Sequence, residues 1–513
     1  MTSPPADSRP HREPQGALEA ENAELRATVS SQAKRIADQT KRIAALESEL
    51  ADLLGRLGQD SKNSSAPPSR DNASRRERRA AERAERKAAL AKKNGGEQRK
   101  PGKQPGTPGT TLMRRSPDRT ITHVPLSCRC CGDGLEAAPV VGRATRQVLE
   151  VPEPRLEVID HVAERRRCRC GVDTTAVFPS EAIGPVCWGP GARARAAYLM
   201  GRQHLPLERT AEAMDVLFAA PMGEGILAGL MPEASQRLTD FVGAIRSLLM
   251  GCPVTYADET SIRVGTRPGW VHTVSSPGLT MLSYHHKRGI DAICEIGVLN
   301  GYRGVIVHDG LAAYDRPELS KASHAQCGAH LLRHLDKVGT VWSQRDWTRA
   351  MRACLLDAKA ASEDAADVGL ACVAKSVSDP IVARYTQILD QAVAALPPGP
   401  PPRRKHTGGW SHSEREAWNL AARMRRHQDQ ILRILVDTEV SFDNNEAERS
   451  LRMAKLHDKI SGCFRSADHA RAFLTVRSYL QTGLKHGCNP LELLTRLWTS
   501  GAWIPSLAFP DTG

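Results

Sequence analysis

Two apolar runs of strand character each carry an aspartate at a critical point, and a third acid opens a helix far along the chain. Any fold must account for these three carboxylates. Val254 to Val264 alternates as a strand does and holds Asp258 in Val-Thr-Tyr-Ala-Asp-Glu-Thr, and Gly304-Val-Ile-Val-His-Asp309 is a buried-strand run that ends in acid. One aspartate in such a place is ordinarily a turn or capping residue. Two of them at the ends of central strands are costly to desolvate, so a pair argues for a cation that compensates them. The third acid, Glu448, sits just inside a helix start, because Asp443, Asn444 and Asn445 are good cap residues and 448–457 has helical character. Glu448, Arg452 and Lys455 fall at helical offsets of four and seven and share one face, so a metal-binding carboxylate and phosphate-binding cations point the same way. Glu446 lies roughly 200° around the helix from Glu448 and serves a different surface. Between the two strand acids, Trp270 to Tyr284 reads as a hairpin turning at Ser-Ser-Pro-Gly.

With 513 residues the chain divides into several domains. From Leu18 to Leu57 a heptad pattern holds, with Asn22, Val29, Ile36, Ile43, Leu50 and Leu57 at one seam position and Leu18, Leu25, Gln32, Gln39, Leu46 and Leu53 at the other. β-Branched residues at the first position and leucine at the second predict a parallel two-stranded coiled coil; a lone amphipathic helix packed on its own protein is the alternative. Residues 60–109, rich in Ser, Pro, Gly, Lys and Arg, cannot bury a core and read as a linker. The net charge of +13 is concentrated there, since Arg70 to Lys103 holds thirteen basic and five acidic residues. That stretch is either a solvated segment or a phosphate-binding one, and the arginine density, including Arg75, Arg76, Arg78 and Arg79, favours a polyanionic partner. No apolar stretch approaches the roughly 18 to 20 residues of a membrane span, and the first residues lack the regions of a signal peptide, so a cytoplasmic protein is expected.

Thirteen cysteines in such a chain suggest metal ligands and buried thiols before disulfides. Cys128-Arg-Cys-Cys131-Gly and Cys168-Arg-Cys170-Gly offer four thiolates for a tetrahedral zinc ion, with Cys130 a competing thiol and a glycine after each pair to permit a tight turn. Apolar alternation in Arg146 to Val151 and Glu157 to Ala163 predicts a small β hairpin between the pairs. Gly189 to Met250 is helical; two of its helices, joined by Ala-Ala-Pro-Met-Gly, form either a helix-turn-helix or a plainly packed hairpin. Trp342 to Ala395 and Ser413 to Val436 are helical again, on either side of a proline-rich link.

Taken together, these motifs resemble the transposases of the insertion-sequence-66 family. The likeness rests on the zipper, Asn63-Ser-Ser-Ala-Pro-Pro-Ser, Arg99-Lys-Pro-Gly-Lys-Gln-Pro-Gly, the cysteine pairs, Asp258-Glu-Thr, Asp309-Gly-Leu-Ala-Ala-Tyr, Cys327-Gly-Ala-His330 and Asp443-Asn-Asn-Glu-Ala-Glu448-Arg. It implies an α/β RNase H-like catalytic core with Asp258, Asp309 and Glu448 as catalytic acids and a large helical insertion between the second and third. The expected organisation is a coiled-coil dimerisation helix at 1–60, a basic linker at 61–120, a small four-cysteine zinc module at 121–182 and a helical domain at 183–250. The catalytic domain would span 251–465, with its insertion at about 340–436, and a helical region would close the chain at 466–513. Such an enzyme would bind the terminal inverted repeats of an insertion sequence and perform DNA cleavage and strand transfer with two Mg2+ (or Mn2+) ions per site, Asp258 bridging them, beside a structural Zn2+. Its partners would be transposon ends and target DNA, a second copy of itself in a homodimer or higher oligomer, and accessory proteins of the same element. Arg449, Arg452 and Lys455 would contact DNA. His308 and Met453 depart from the family pattern without removing a carboxylate. Cys327 and His330 read as a core thiol and a hydrogen-bonded histidine near the site, with a second zinc site the alternative. Trp410 and Trp418 read as core residues and Arg423 to Arg426 as a solvated face, DNA contact being the alternative for both.

Overall fold

The computed structural model describes residues 26, 28–39, 42, 113–397, 399–401 and 410–506. The chain forms two compact units, one of residues 54–154 and one of the remainder. Residues 28–39 are helical, and the seam positions Val29 and Ile36 are 64% and 63% exposed. Most of the heptad seam, from Leu18 to Leu25 and from Ile43 to Leu57, lies outside the described residues, as do Arg75, Arg76, Arg78 and Arg79 of the basic linker.

The larger unit is built on a five-stranded mixed sheet. Strand β3 (Val254–Val264) is its centre, and β4 (Arg267–Ser275) and β5 (Thr280–His285) follow as an antiparallel meander. The β4–β5 turn closes where the Leu279 N–H donates to the Ser276 hydroxyl. On the other side of β3 run β6 (Val305–His308) and then β7 (Ser323–Gln326), both parallel, for a strand order β5-β4-β3-β6-β7. Two short strands, β1 (Arg165–Arg167) and β2 (Asp173–Thr175), make a separate hairpin in which Asp173 pairs with Arg165 and Arg167.

Successive side chains of a strand alternate between faces, and that alternation sorts the two main cores. Ala257, Val274, Met281 and Ile306 join one cluster with helices α1 (Pro190–Gly201), α2 (Leu207–Phe218), α3 (Glu224–Arg237) and α4 (Thr239–Gly251). After the short α5 (Ile290–Glu295) the next helices cover the other face, where Val254, Tyr256, Val305, Val307 and Ala325 point. These are α6 (Gly328–Val338), α7 (Arg345–Asp367), α8 (Lys375–Ala394), α9 (His412–Arg426) and α10 (Gln428–Ile431). In α7 the buried residues Trp347, Met351, Cys354, Leu355 and Ala358 recur at the helical period, giving the stripe that seats this helix on the shared core. Helix α9 starts at a capping box, Ser411 accepting from the Glu414 N–H while Glu414 accepts from the Ser411 N–H. Trp410 and Trp418 pack against this core.

Helix α11 (Asn445–Ile460) lies along the same face of β3, burying Ala447 in the large core and Leu451 and Ala454 against Ile262, Val271 and Leu282. Full burial of a leucine such as Leu451 contributes about 1.5–3 kcal/mol. Two further helices, α12 (Ala467–Lys485) and α13 (Pro490–Leu497), complete the first face, where Thr482 and Ser478 of α12 accept from the backbone N–H groups of Thr280 and Leu282 on β5. The region after residue 466 is therefore bonded directly to the sheet.

Arg146 to Val151 and Glu157 to Ala163, expected as strands, are irregular. Their alternating valines and isoleucine are exposed, with Val148, Val151, Val158 and Val162 each more than four-fifths accessible. Alternation specifies a strand only where one face is buried, and here neither face is. The hairpin instead brackets the second cysteine pair.

Candidate active site

Register sets two of the acids side by side. Tyr256 of β3 pairs with Val307 of β6, and two residues beyond that pair come Asp258 and Asp309. By alternation Asp258 continues the face that carries Val254 and Tyr256, while Asp309 lies just past the last residue of β6. The third acid reaches the same side through its helix. The side-chain amide of Asn444, fully buried at the start of α11, donates to the Ala257 carbonyl at 2.8 Å, so the first turn of α11 is bonded to β3 one residue from Asp258. Glu448 lies one turn on, between the buried positions Ala447 and Leu451.

Burial raises the Asp258 carboxyl to about 7, and the neighbouring charges of Glu259, Asp309 and Glu448 add to the rise; the Glu259 N–H, donating to Asp258 Oδ1 at 2.8 Å, opposes it. Asp309 and Glu448 thus each act electrostatically on Asp258. The three acids are not gathered into one tight ligand set. Among the described residues, the group of three whose ligand atoms all lie within 4.8 Å of one another is Cys327, His330 and Glu448. Glu448 is drawn to that side, with Arg333 Nη2 at 3.2 Å and His330 Nδ1 at 3.8 Å from Oε1, and Arg452 Nη2 at 3.8 Å from Oε2.

Glu259 alternates to the opposite face of β3, where burial first and Asp309 second raise its carboxyl to about 7. Arg288 Nε donates to Glu259 Oε1 at 2.8 Å, Arg288 Nη2 lies 3.8 Å from Asp309 Oδ2, and the guanidinium stacks 4.9 Å from the Trp270 ring. The Tyr314 hydroxyl donates to the second Glu259 oxygen at 3.3 Å. Asp309 Oδ1 accepts from the Leu311 N–H at 2.8 Å, which fixes the turn leaving β6. Arg288 therefore links buried Glu259 to part-exposed Asp309. Nothing in its local sequence marks it.

Arg423 departs from its reading as part of a solvated face. Its guanidinium is half-buried, hydrogen-bonded to His334 Nδ1 at 2.8 Å and close enough to Asp309 for that charge to support its ionised form, while burial pushes its pKa down. Arg425 and Arg426 are exposed. The helical period decides between them, because Met424 and His427 are buried and Arg423 sits beside that stripe. Arg333 had a visible signal, three residues after His330 on one helix face. Glu446, on the far side of α11, pairs with Lys485 Nζ at 3.0 Å and with Arg449. Arg449, Arg452 and Lys455 are exposed.

A family model described as Transposase IS66 family matches residues 185–472, more than half of the chain. The chain belongs to this family. A second match, to the zinc-finger binding domain of transposase IS66, covers residues 125–171 and so all four cysteines expected to hold zinc in this IS66 transposase. No curated protein matches the chain.

Both cysteine turns of the transposase have the form a thiolate ligand needs. In the first, the Cys128 N–H donates to the Asp133 carbonyl, the Gly132 N–H returns to the Cys128 carbonyl at 3.0 Å, and the Cys130 N–H faces Cys128 Sγ at 3.4 Å. In the second, the Cys168 N–H donates to the Val172 carbonyl and the Gly171 N–H to the Cys168 carbonyl at 2.9 Å. Gly132 (φ +79°) and Gly171 (φ +90°) take left-handed conformations that close these turns at no steric cost. The backbone N–H of Cys131, then that of Cys130, lowers the Cys128 thiol pKa, and the Cys170 N–H lowers that of Cys168. Donors aimed at sulfur stabilise the thiolate, the form that binds metal. The four thiols lie in different units, two in each.

Proposed function

We propose that this transposase binds the terminal inverted repeats of an insertion sequence and cleaves and transfers DNA strands with Asp258, Asp309 and Glu448 as its catalytic acids. The observation that carries this reading is the Asp258 carboxyl, raised to about 7 by burial first, then by Glu259, with Asp309 and Glu448 adding to the rise. A site that holds like charges against one another is electrostatically suited to a divalent cation, and an all-oxygen donor set suits magnesium or manganese. Two such ions held by Asp258, Asp309 and Glu448 would supply Lewis-acid polarisation of the phosphoryl oxygens and a more acidic nucleophile.

The rest is the work of the chain. Arg288 neutralises Glu259 behind the site and steadies Asp309, so that the charge facing DNA comes from the catalytic acids. Arg449, Arg452 and Lys455, exposed on α11, would contact the phosphate backbone, as would Arg75, Arg76, Arg78 and Arg79 of the linker sequence; such contacts weaken as salt rises. Cys128, Cys131, Cys168 and Cys170 are the residues that would hold a structural zinc, and the backbone donors at Cys128 and Cys168 support each pair as a thiolate donor. The order β5-β4-β3-β6-β7, antiparallel on one side of β3 and parallel on the other, supports an RNase H-like core. Exposed Val29 and Ile36 on a helical segment support pairing with a second copy through the heptads.

Strand transfer by purified Asp258→Asn, Asp309→Asn and Glu448→Gln chains tests the assignment. Each is expected to lose strand transfer while keeping end binding. Normal strand transfer by any one of them removes that residue from the catalytic set.

A further inference from the structure

Cys327, His330 and Glu448 converge for reasons independent of the acidic pair. Cys327 stands at the N-cap of α6 and His330 is the third residue of that helix, so the two side chains share its first turn. The Cys327 N–H donates to the His308 carbonyl at 2.8 Å and the Gly328 N–H to the Phe442 carbonyl at 2.8 Å, which seats this turn between the end of β6 and the approach to α11. Glu448 on α11 then faces it. Cys327 is 1% exposed, while the side chains of His330 and Glu448 are 24% and 21% exposed, so the group has a buried floor and an open edge.

His330 Nδ1 is buried and has no hydrogen-bond partner. It lies 3.8 Å from Glu448 Oε1, too far for a hydrogen bond. Ligand atoms on a tetrahedral zinc stand about 3.3–3.8 Å apart for bond lengths of about 2.0–2.3 Å. The spacing therefore suits two atoms bonded to a shared ion better than two bonded to each other. The donors are one thiolate, one imidazole and one carboxylate, a set that selects zinc over magnesium and leaves the fourth position to water at the open edge. The cations nearby are those of Arg333, Arg452 and, beyond His334, Arg423; Arg333 and Arg452 are 59% and 67% exposed and free to swing into solvent when Glu448 turns to an ion.

We propose that Cys327 Sγ, His330 Nδ1 and one Glu448 oxygen form a binding site for a borderline-soft divalent ion, with zinc the best fit. Binding releases the Cys327 proton to solvent. Resting on the function proposed above, the second half of the inference is that occupancy withdraws Glu448 from Asp258 and Asp309, so zinc opposes magnesium-dependent DNA chemistry.

The test is metal uptake by the full chain at buffered free zinc, compared with Cys327→Ser, His330→Ala and Glu448→Gln. The cysteine turns are common to all four chains and cancel in the comparison. The wild type is expected to take up one more equivalent than Cys327→Ser or His330→Ala, and Glu448→Gln to bind that equivalent at least tenfold more weakly. With Co2+ as probe, the difference spectrum of wild type minus Cys327→Ser should show a thiolate-to-cobalt charge-transfer band. Equal uptake by wild type, Cys327→Ser and His330→Ala overturns the site; circular dichroism identifies any variant that has unfolded, and the other then decides. The competition is read as the fold-inhibition of magnesium-dependent cleavage by zinc, expected to shrink at least tenfold in His330→Ala. Equal inhibition in the two chains overturns that half. A wild-type chain that takes up the extra ion but cleaves no DNA with magnesium upholds the site and refutes the catalytic reading instead.

Discussion

The buried amide of Asn444 donates to the backbone carbonyl of Ala257, and through that bond the first turn of α11 is fastened to the central strand beside Asp258. Removing it in Asn444→Ala leaves the Ala257 carbonyl without this donor in a buried site, at a cost of about 1–3 kcal/mol. The thermal midpoint should fall and strand transfer should drop by at least tenfold, with end binding retained. Unchanged strand transfer in a chain of lowered stability would mean that this bond holds the fold without positioning Glu448.

Arg288 and Glu259 form a pair whose acid is fully buried. Without Arg288 the Glu259 carboxyl, already raised to about 7, takes up a proton at neutral pH, so Arg288→Ala should destabilise by about 1–2 kcal/mol, more at pH 8 than at pH 6. Adding Glu259→Gln should recover most of that loss. Denaturant unfolding of the two single variants and the double variant measures the coupling, and simple additivity would show that the pair does not act as a unit.

Asp258, like Glu259 raised to about 7, makes the metal-free site pH-dependent. Its folded pKa, about 7, lies above the unfolded value, so the folded chain binds the extra proton and stability falls as pH rises from about 4 through 7. Asp258→Asn, which mimics the neutral form, should therefore be the more stable chain at pH 8 with chelator present, by about 1–3 kcal/mol, and the advantage should shrink as pH falls and vanish near pH 4. Thermal midpoints at the two pH values check this, and an advantage of equal size at both would contradict the shift.

His204 and His457 behave in the opposite sense. Burial first, and the Arg477 charge second, lower both imidazoles to about 4, and their rings stack near Phe464 and Phe473. The unfolded chain takes up these protons more readily, so stability is full above pH 6.5 and is lost as pH falls towards 4, by about 1–3 kcal/mol for each ring. His457→Leu should flatten the dependence of the thermal midpoint on pH between 7.5 and 5 even where it lowers the midpoint itself. An unaltered slope would exclude His457 from the acid transition.

Loss of zinc should be felt by the cysteine turns and not by the helices and sheet. Cys168→Ser is expected to abolish zinc retention in the cysteine module and weaken end binding at least tenfold, while the main thermal transition moves by no more than about 2 °C. A collapse of that transition would show that the helices and sheet depend on the metal.

The parts of this molecule that could be read from sequence are those written in short-range patterns. Val254 to Val264 and Gly304 to Asp309 announce themselves as strands because one residue in two faces a core, and Asp443 to Asn445 mark the start of α11 by their capping chemistry. Arg288 and Arg423 were illegible for the opposite reason. Each meets its acid only after the sheet has closed and α9 has docked, and an arginine in a charged stretch looks the same whether its helix face turns inward or outward. The alternating residues at 146–151 and 157–163 mislead because alternation records a capacity to bury one face, which the surrounding chain does not take up.

Helices α6 to α10 share their apolar core with one side of the sheet, and two of them also wall the acids, α6 with His330 and Arg333 and α9 with Arg423. Trimming the chain to a minimal catalytic fragment is thereby foreclosed. Excising residues 340–436 would remove α7 to α10 and leave α6 and the start of α11 as the remaining cover over the valines and tyrosine on the underside of the sheet, and a shortened version would precipitate before its chemistry could be assayed.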